Sequence, residues 1–395
     1  MPPRLHVLSR TRSLGTVVIV AAGLMVSCSE PAAVGGGAAA PVVDAARPLT
    51  CLDSALAHYA DSGQGWTGGD STWSAALSDG REVFAFSDTF LPPVTAPTRP
   101  SEAVFVHNSL VVRERDGRLS TLVGGSQDKP EAWLAPPDPS HWYWLGAVTV
   151  GDGALQVPVG EWRSVGPGAF DIEFVGSTLV RVAEHDLRQP VSMTPLPRTK
   201  AIQWGQWVQW EAPWTYVYGV ETEGDDKHLH VARVAGTDLR QPLSFWTGTR
   251  WSDSEAESAR VVDGVNSEVS VHRVSAGRYL LVTMAGDGLS DRMIGRYAST
   301  PTGPFGPATT LYITPETGAS GSYRDPDIYT YNAHVHPEFS TATTLVISYN
   351  VNSFDTATDG DLYRDTGIYR PRFLTVTLSD SSAVASETAT QPACL

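Results

Sequence analysis

Residues Leu179-Val180-Arg181-Val182-Ala183, followed by Asp186-Leu187-Arg188-Gln189-Pro190, recur as Val231-Ala232-Arg233-Val234-Ala235, followed by Asp238-Leu239-Arg240-Gln241-Pro242, an offset of 52 residues from Arg181 to Arg233. Each copy reads as a strand, a turn and a second short stretch. A single small sheet cannot bury its apolar faces alone, so self-similarity at such a period marks a repeat architecture. Looser copies occur at Leu110-Val111-Val112-Arg113, Ile294-Gly295-Arg296-Tyr297 and Ile368-Tyr369-Arg370, with offsets of 68, 63 and 74 residues from neighbouring arginines. Five copies predict a five-bladed β-propeller. Between them run short alternating segments punctuated by Gly, Pro, Asp and Asn, with hardly any helical spacing beyond two turns, so the class is all-β. A sandwich also fits those segments but leaves the long period unexplained. Arg181, Arg233 and their counterparts read as structural residues at blade edges.

Working outward, the ends of the chain differ from its middle. Arg4, Arg10 and Arg12 precede an uncharged apolar run over residues 14–26, too short to span a bilayer comfortably. A basic flank, an apolar stretch and Met25-Val26-Ser27-Cys28 describe a secretory signal over residues 1–27 that resembles a lipobox. Cys28 is then the expected lipidation site. Residues 28–50 read as the lipidated cysteine and a flexible Gly/Ala/Pro linker. Residues 51–379 form the expected propeller, at roughly 66 residues per blade, and residues 380–395 a polar tail. Cys51 and Cys394 stand at opposite extremities, and a disulfide between them requires neighbouring ends, as in a closed ring. Two unpaired thiols are the alternative.

The formal net charge of −15 becomes −18 once the signal removes three arginines and no acids. That balance argues against nucleic acid as a partner, whereas an acidic chain with 12 tryptophans suits a neutral ligand with apolar faces, such as a sugar. The expected location is extracytoplasmic, lipid-anchored in the cell membrane and facing the cell wall, with the anchor as the only membrane contact and a monomeric protein.

The strongest chemical signal lies in Gly68-Gly69-Asp70 and Phe86-Ser87-Asp88-Thr89-Phe90, on either side of the turn signal Asp79-Gly80. A hairpin centred there pairs residues whose numbers total 158 or 159, which sets Asp70 opposite Asp88. Opposed cross-strand residues have Cβ atoms about 5 Å apart. Two carboxylates so close drive one pKa upward, dividing them into a proton donor and an ionised base or nucleophile, the pair that glycosidic cleavage requires. Turn-capping roles for both aspartates are the bland alternative.

These two blocks, with Tyr216-Val217-Tyr218-Gly219-Val220-Glu221 and residues 334–340, resemble glycoside hydrolase family 183. These are five-bladed propellers that include actinobacterial endo-D-arabinanases and were once grouped only as a domain of unknown function. The likeness covers most of residues 60–378. It implies endo-acting cleavage of the D-arabinan of arabinogalactan and lipoarabinomannan, with Asp70 and Asp88 at the family's essential aspartates. It also implies that a histidine of the last blades supports the substrate or an acid, which suits His336.

Glu268, in Val265-Asn266-Ser267-Glu268-Val269-Ser270-Val271, alternates away from Val269 and Val271 and is a third candidate carboxylate, though a solvated strand face looks the same. Trp66, Trp204 and Asn350 complete the expected substrate-binding set. His334 and His336 share a strand face at a spacing metal sites use, yet no third ligand lies nearby in sequence, so no metal is expected there. Asp355, Asp359 and Asp361 offer at most a structural calcium loop, and no organic cofactor is needed. A non-catalytic propeller that binds glycan or protein is the rival function. An arginine bridging to Asp88 would favour that rival, and an open funnel beside both aspartates would favour the enzyme.

Overall fold

The computed structural model describes residues 39–286, 289–341 and 343–379. Cys28, Cys394, the signal over residues 1–27 and the tail over residues 380–395 lie outside these residues. The described fold is all-β, and its one helix of several turns is α1, Thr50–Asp61.

Five antiparallel sheets of four or more strands follow one another along the described chain, their main strands neighbours in chain order. Sheet one contains Trp73–Ala76, Glu82–Phe86, Ser109–Arg113 and Leu119–Leu122. Sheet two is built on His141–Leu145, Ala154–Ser164, Ile172–Ala183 and Asp186–Pro195, and sheet three on Ile202–Glu211, Trp214–Glu223, Asp226–Ala235 and Ser244–Trp246. Sheet four contains Val269–Ser275, Arg278–Met284, Arg292–Ala298 and Thr309–Ile313. In sheet five, Ile328–Val335, Thr344–Ser353 and Pro371–Leu378 are completed by β1, Val43–Pro48, from the other end of the chain.

Hydrogen bonds link each sheet to the next. Trp73 Nε1 donates to Leu145 O at 3.0 Å, Ala147 N to Gly205 O at 2.9 Å, and Trp207 Nε1 to Val271 O at 2.8 Å. Val335 N donates to Ser270 Oγ at 3.1 Å, and Asn350 Nδ2 to Thr72 Oγ1 at 3.0 Å, which joins sheet five to sheet one. One apolar core draws residues from all five sheets, among them Val83, Val157, Val231, Leu281 and Ile347, each with no exposed surface. Burying each such side chain contributes roughly 1.5–3 kcal/mol.

Four of the five repeat arginines occupy the same place. Arg113, Arg181, Arg233 and Arg296 all lie on the third strand of their sheets, one strand in from the edge position expected for them. Arg113 pairs with Glu82 at 2.7 Å and Arg181 with Asp152 at 2.9 Å, while the Arg233 guanidinium stacks over Trp214 and Trp251. Arg370 departs from the pattern: it precedes its strand and donates to Asp61 at 2.8 Å.

One boundary changes. The linker assigned to residues 28–50 ends earlier, because β1 pairs with Pro371–Leu378 from Val43↔Leu378 to Pro48↔Leu374. Its backbone groups saturate an edge that would otherwise be open. The helix α1 was also unforeseen. Leu52, Leu56, Tyr59 and Ala60 form its buried face and pack with Trp66, Phe84, Phe86 and Phe373 in a separate apolar cluster. Cys51, in the first turn of α1, is disulfide-bonded, while its expected partner Cys394 lies outside the described residues.

Candidate active site

Sheet one pairs as Trp73↔Ala85 through Ala76↔Glu82, and the short pair Gly68–Gly69 with Thr89–Phe90 keeps the same register as Gly68↔Phe90 and Gly69↔Thr89. Every pair totals 158, as expected for a hairpin turning at Asp79-Gly80. Asp70 and Asp88 sit where the ladder breaks between these two stretches, and Asp70 N donates to Asp88 O at 3.1 Å. Ser71 and Thr72 make the break, with φ of 65° and 67°.

Of the six non-glycine residues with positive φ among those described, four surround Asp70: Ser71, Thr72, Asn332 and Tyr369. Each such residue costs of order 1–3 kcal/mol, and clusters of them mark functional sites. Here they aim two hydroxyls at one oxygen. Tyr331 OH donates to Asp70 Oδ2 at 2.7 Å and Tyr369 OH at 3.2 Å, while Asp70 Oδ1 is buried without a partner. Gly68 and Gly69 permit this approach. A Cβ on Gly68 would lie 2.4 Å from Arg99 Nη2 and 2.7 Å from Tyr369 O, and Gly69 N donates to that same carbonyl at 2.8 Å. Arg99 is buried with four carbonyl partners, including Leu362 O at 2.6 Å and Thr67 O at 3.0 Å, and so ties the segment before Tyr369 to Asp70.

The two aspartates have different surroundings. Burial, and then the nearby Asp88 charge, push Asp70 well above the ordinary carboxylate range, Glu268 acts in the same sense, and the two tyrosine hydroxyls oppose it. Asp88 Oδ1 accepts from Trp144 Nε1 and from His107 Nδ1, both at 2.8 Å. The partners of Asp88 are thus an indole and an imidazole rather than an arginine.

A cleft of about 710 Å³ exposes both aspartates along a wall of aromatic side chains that includes Phe105, Trp144, Tyr329 and Tyr363. A second pocket of about 300 Å³ also reaches Asp70, and its lining includes Gln203, Gln206, Asn266 and Glu268. Asp70, Trp144 and Tyr331 line both. Glu268 therefore lies near the aspartates as expected. It is buried, which raises its pKa, and its Oε2 lies 3.1 Å from His334 Nδ1.

The other expected residues are elsewhere. Trp66 is fully buried against Phe86, ring centroids 4.6 Å apart, in the cluster beneath α1. Trp204 is buried in sheet three and donates to Glu255 at 2.7 Å. Asn350 is inaccessible to substrate: it supports the strained turn through its bond to Thr72. His336 is fully buried, held neutral by desolvation, and hydrogen-bonds Ser74, which also bonds Glu338. Of the two histidines on that strand, His334 is the one that touches an acid of the site, Glu268. Of the loop considered for calcium, Asp361 groups with Asp325 and Asp327 instead of Asp355 and Asp359. His107, Tyr331 and Tyr369 were not anticipated. The only sequence signal for His107 was its nearness to a strand end beside Asp88.

A family profile described as a domain of unknown function, DUF5005, matches residues 53–379. The chain belongs to the DUF5005 family. No curated protein sequence matches it. Among solved structures, a candidate hydrolase from Bacteroides ovatus ATCC 8483 is similar, with a TM-score of 0.71 and 18% identity over 84% of this chain and 90% of the other. That likeness shows a shared fold. Fainter likenesses include an α-L-arabinofuranosidase from Podospora anserina (TM-score 0.43, 9% identity, 81% of this chain and 93% of the other). A GH43_1 enzyme from Xanthomonas citri is comparable (TM-score 0.41, 14% identity, 86% and 97%).

Proposed function

We propose that this DUF5005 protein is a glycoside hydrolase that cleaves D-arabinan within the chain, and that its five sheets are the blades of a closed propeller. The observation that carries the reading is the unequal environment of two facing carboxylates: Asp70, buried and biased toward its protonated form, and Asp88, accepting two hydrogen bonds. Asp70 acts as the acid that protonates the leaving oxygen. Asp88 acts as the base or nucleophile on the anomeric side. Asp70 lies where the aromatic cleft meets the second pocket, so sugar units fit on both sides of it, which supports attack on internal bonds. Aromatic walls suit the apolar faces of sugar rings. The hydrogen bonds from each sheet to the next, including sheet five to sheet one, support the closed ring. The family 183 resemblance supplies the choice of D-arabinan.

The exported location rests on the basic and apolar leader and on Cys28, and places the enzyme against a cell-wall polymer. Incubation of the purified protein with arabinogalactan, lipoarabinomannan and plant L-arabinan tests the reading. Oligosaccharides from the first two only are expected. Release from plant arabinan alone overturns the substrate, and binding without release from any polymer returns the protein to the non-catalytic class. The anomeric configuration of the first product distinguishes retention from inversion.

A further inference from the structure

We propose that Phe170 and Phe354 form an aromatic clasp that closes over a glycan chain lying in the cleft above Asp70 and Asp88. The inference rests on the glycan-cleaving reading and names a binding contact within it. Phe170 stands at the end of the extended hairpin formed by Ala154–Ser164 and Ile172–Ala183 in sheet two. Phe354 follows Thr344–Ser353 in sheet five. Sheets two and five both bond to sheet one, which carries the aspartates, so the two loops reach toward each other across that sheet. Their ring centroids are 6.1 Å apart at 61°. Both rings line the cleft that holds Asp70 and Asp88, and Phe170 lines the second pocket as well.

The turn that carries each ring is hydrogen-bonded while the ring's face stays wet. In the Phe170 turn, Val165 N donates to Asp171 O at 2.8 Å and the Asp171 carboxylate accepts from Gly168 N at 2.8 Å. Phe354 N donates to Asp327 O at 3.0 Å and its ring packs on Tyr329 at 4.6 Å. Yet Phe170 is 64% exposed and Phe354 49%. Two preorganised, solvated apolar rings over a pair of carboxylates match a ligand with alternating apolar faces and hydroxyl edges, which is a sugar chain.

The test compares Phe170→Ala, Phe354→Ala and the double variant with Val191→Ala, an equally exposed apolar change on the outer strand of sheet two. The probes are arabinogalactan-derived D-arabinan and p-nitrophenyl α-D-arabinofuranoside. Each phenylalanine variant should raise KM for the polymer about tenfold with kcat kept, the double variant should lose less than the product of the singles, and the aryl glycoside rate and Val191→Ala should match wild type. Polymer affinity is read independently by gel retardation in the Asp70→Asn background, where adding Phe170→Ala should abolish retention. An unchanged polymer KM, or an equal loss on both probes, overturns the clasp while wild-type cleavage leaves the hydrolase standing. Phe170-dependent retention by a wild type that never cuts overturns the hydrolase and keeps the clasp, and no binding at all overturns both.

Discussion

In the proposed reaction Asp70 and Asp88 carry opposite halves, and their variants should separate along that line. Asp70→Asn removes the proton donor, so polymer cleavage should fall by at least about 100-fold, whereas p-nitrophenyl α-D-arabinofuranoside, whose leaving group departs without a proton, should lose far less. Asp88→Asn should silence both substrates. Measured midpoints should show Asp70→Asn as stable as wild type or more so, because the change removes a buried carboxylate facing another. Equal losses on both substrates would reverse the assignment. The raised pKa of Asp70 also sets the sign of the pH profile: the acid is present below that pKa and disappears above it, so kcat should decline on the alkaline side, and this limb should be missing in Asp70→Asn. The aspartates were legible because a hairpin maps sequence distance onto spatial distance. Tyr331 and Tyr369 lie 261 and 299 residues from Asp70, and no local rule reaches so far.

Single elements carry the next set of effects. The strand Gly68–Gly69 has room only for hydrogen where Tyr369 O and Arg99 approach, so Gly68→Ala should push the Tyr369 segment away from Asp70. We expect a loss of about 1–3 kcal/mol in chemical denaturation, with kcat reduced as the tyrosine bond loosens. A variant with wild-type kcat would mean that Tyr369 does not position Asp70. In α1, Asp53 accepts from Phe373 N at 2.8 Å, and desolvation, the largest influence, raises its pKa to about 6. A carboxyl whose folded pKa is raised gives stability that is complete below the unfolded value near 4 and lost as pH rises through about 6. Asp53→Asn should therefore flatten the decline in melting temperature between about pH 4 and 6, and an unchanged slope would locate that pH dependence elsewhere. The helix escaped the sequence reading because its apolar face is only four residues wide, a weak signal beside a long Gly/Ala/Pro stretch.

At the scale of the whole molecule, both ends of the described fold meet in sheet five. A chain beginning at residue 43 should melt like the protein beginning at Cys28, whereas one beginning at Leu49 lacks β1 and leaves Pro371–Leu378 as an open edge. We expect the shorter chain to melt lower and to self-associate, as read by calorimetry and light scattering, and an unchanged midpoint would make β1 dispensable. Mass spectrometry of the mature N-terminus checks the anchor: a diacylated or triacylated Cys28 is expected, and cleavage at another bond would remove the lipoprotein assignment.

By itself the sequence determined the all-β class, the recurrence of a strand arginine at Arg113, Arg181, Arg233 and Arg296, and the facing of Asp70 and Asp88; the arginines' place on the third strand, not the edge, came from the structure. Alternation, repeat period and hairpin register are local properties, fixed by the two-residue pleat and by turn chemistry. Tertiary structure alone decided which tryptophans are core and which meet the cleft. Trp66 and Trp204 are buried whereas Trp144 bonds Asp88, because burial depends on which sheets close over a face and not on the residue presented. It also decided that His334 rather than His336 touches Glu268, since strand alternation gave the two rings the same face but the neighbouring sheets surrounded them differently. The same holds for the charge state of Asp70, which follows from desolvation by segments that only the folded chain brings together.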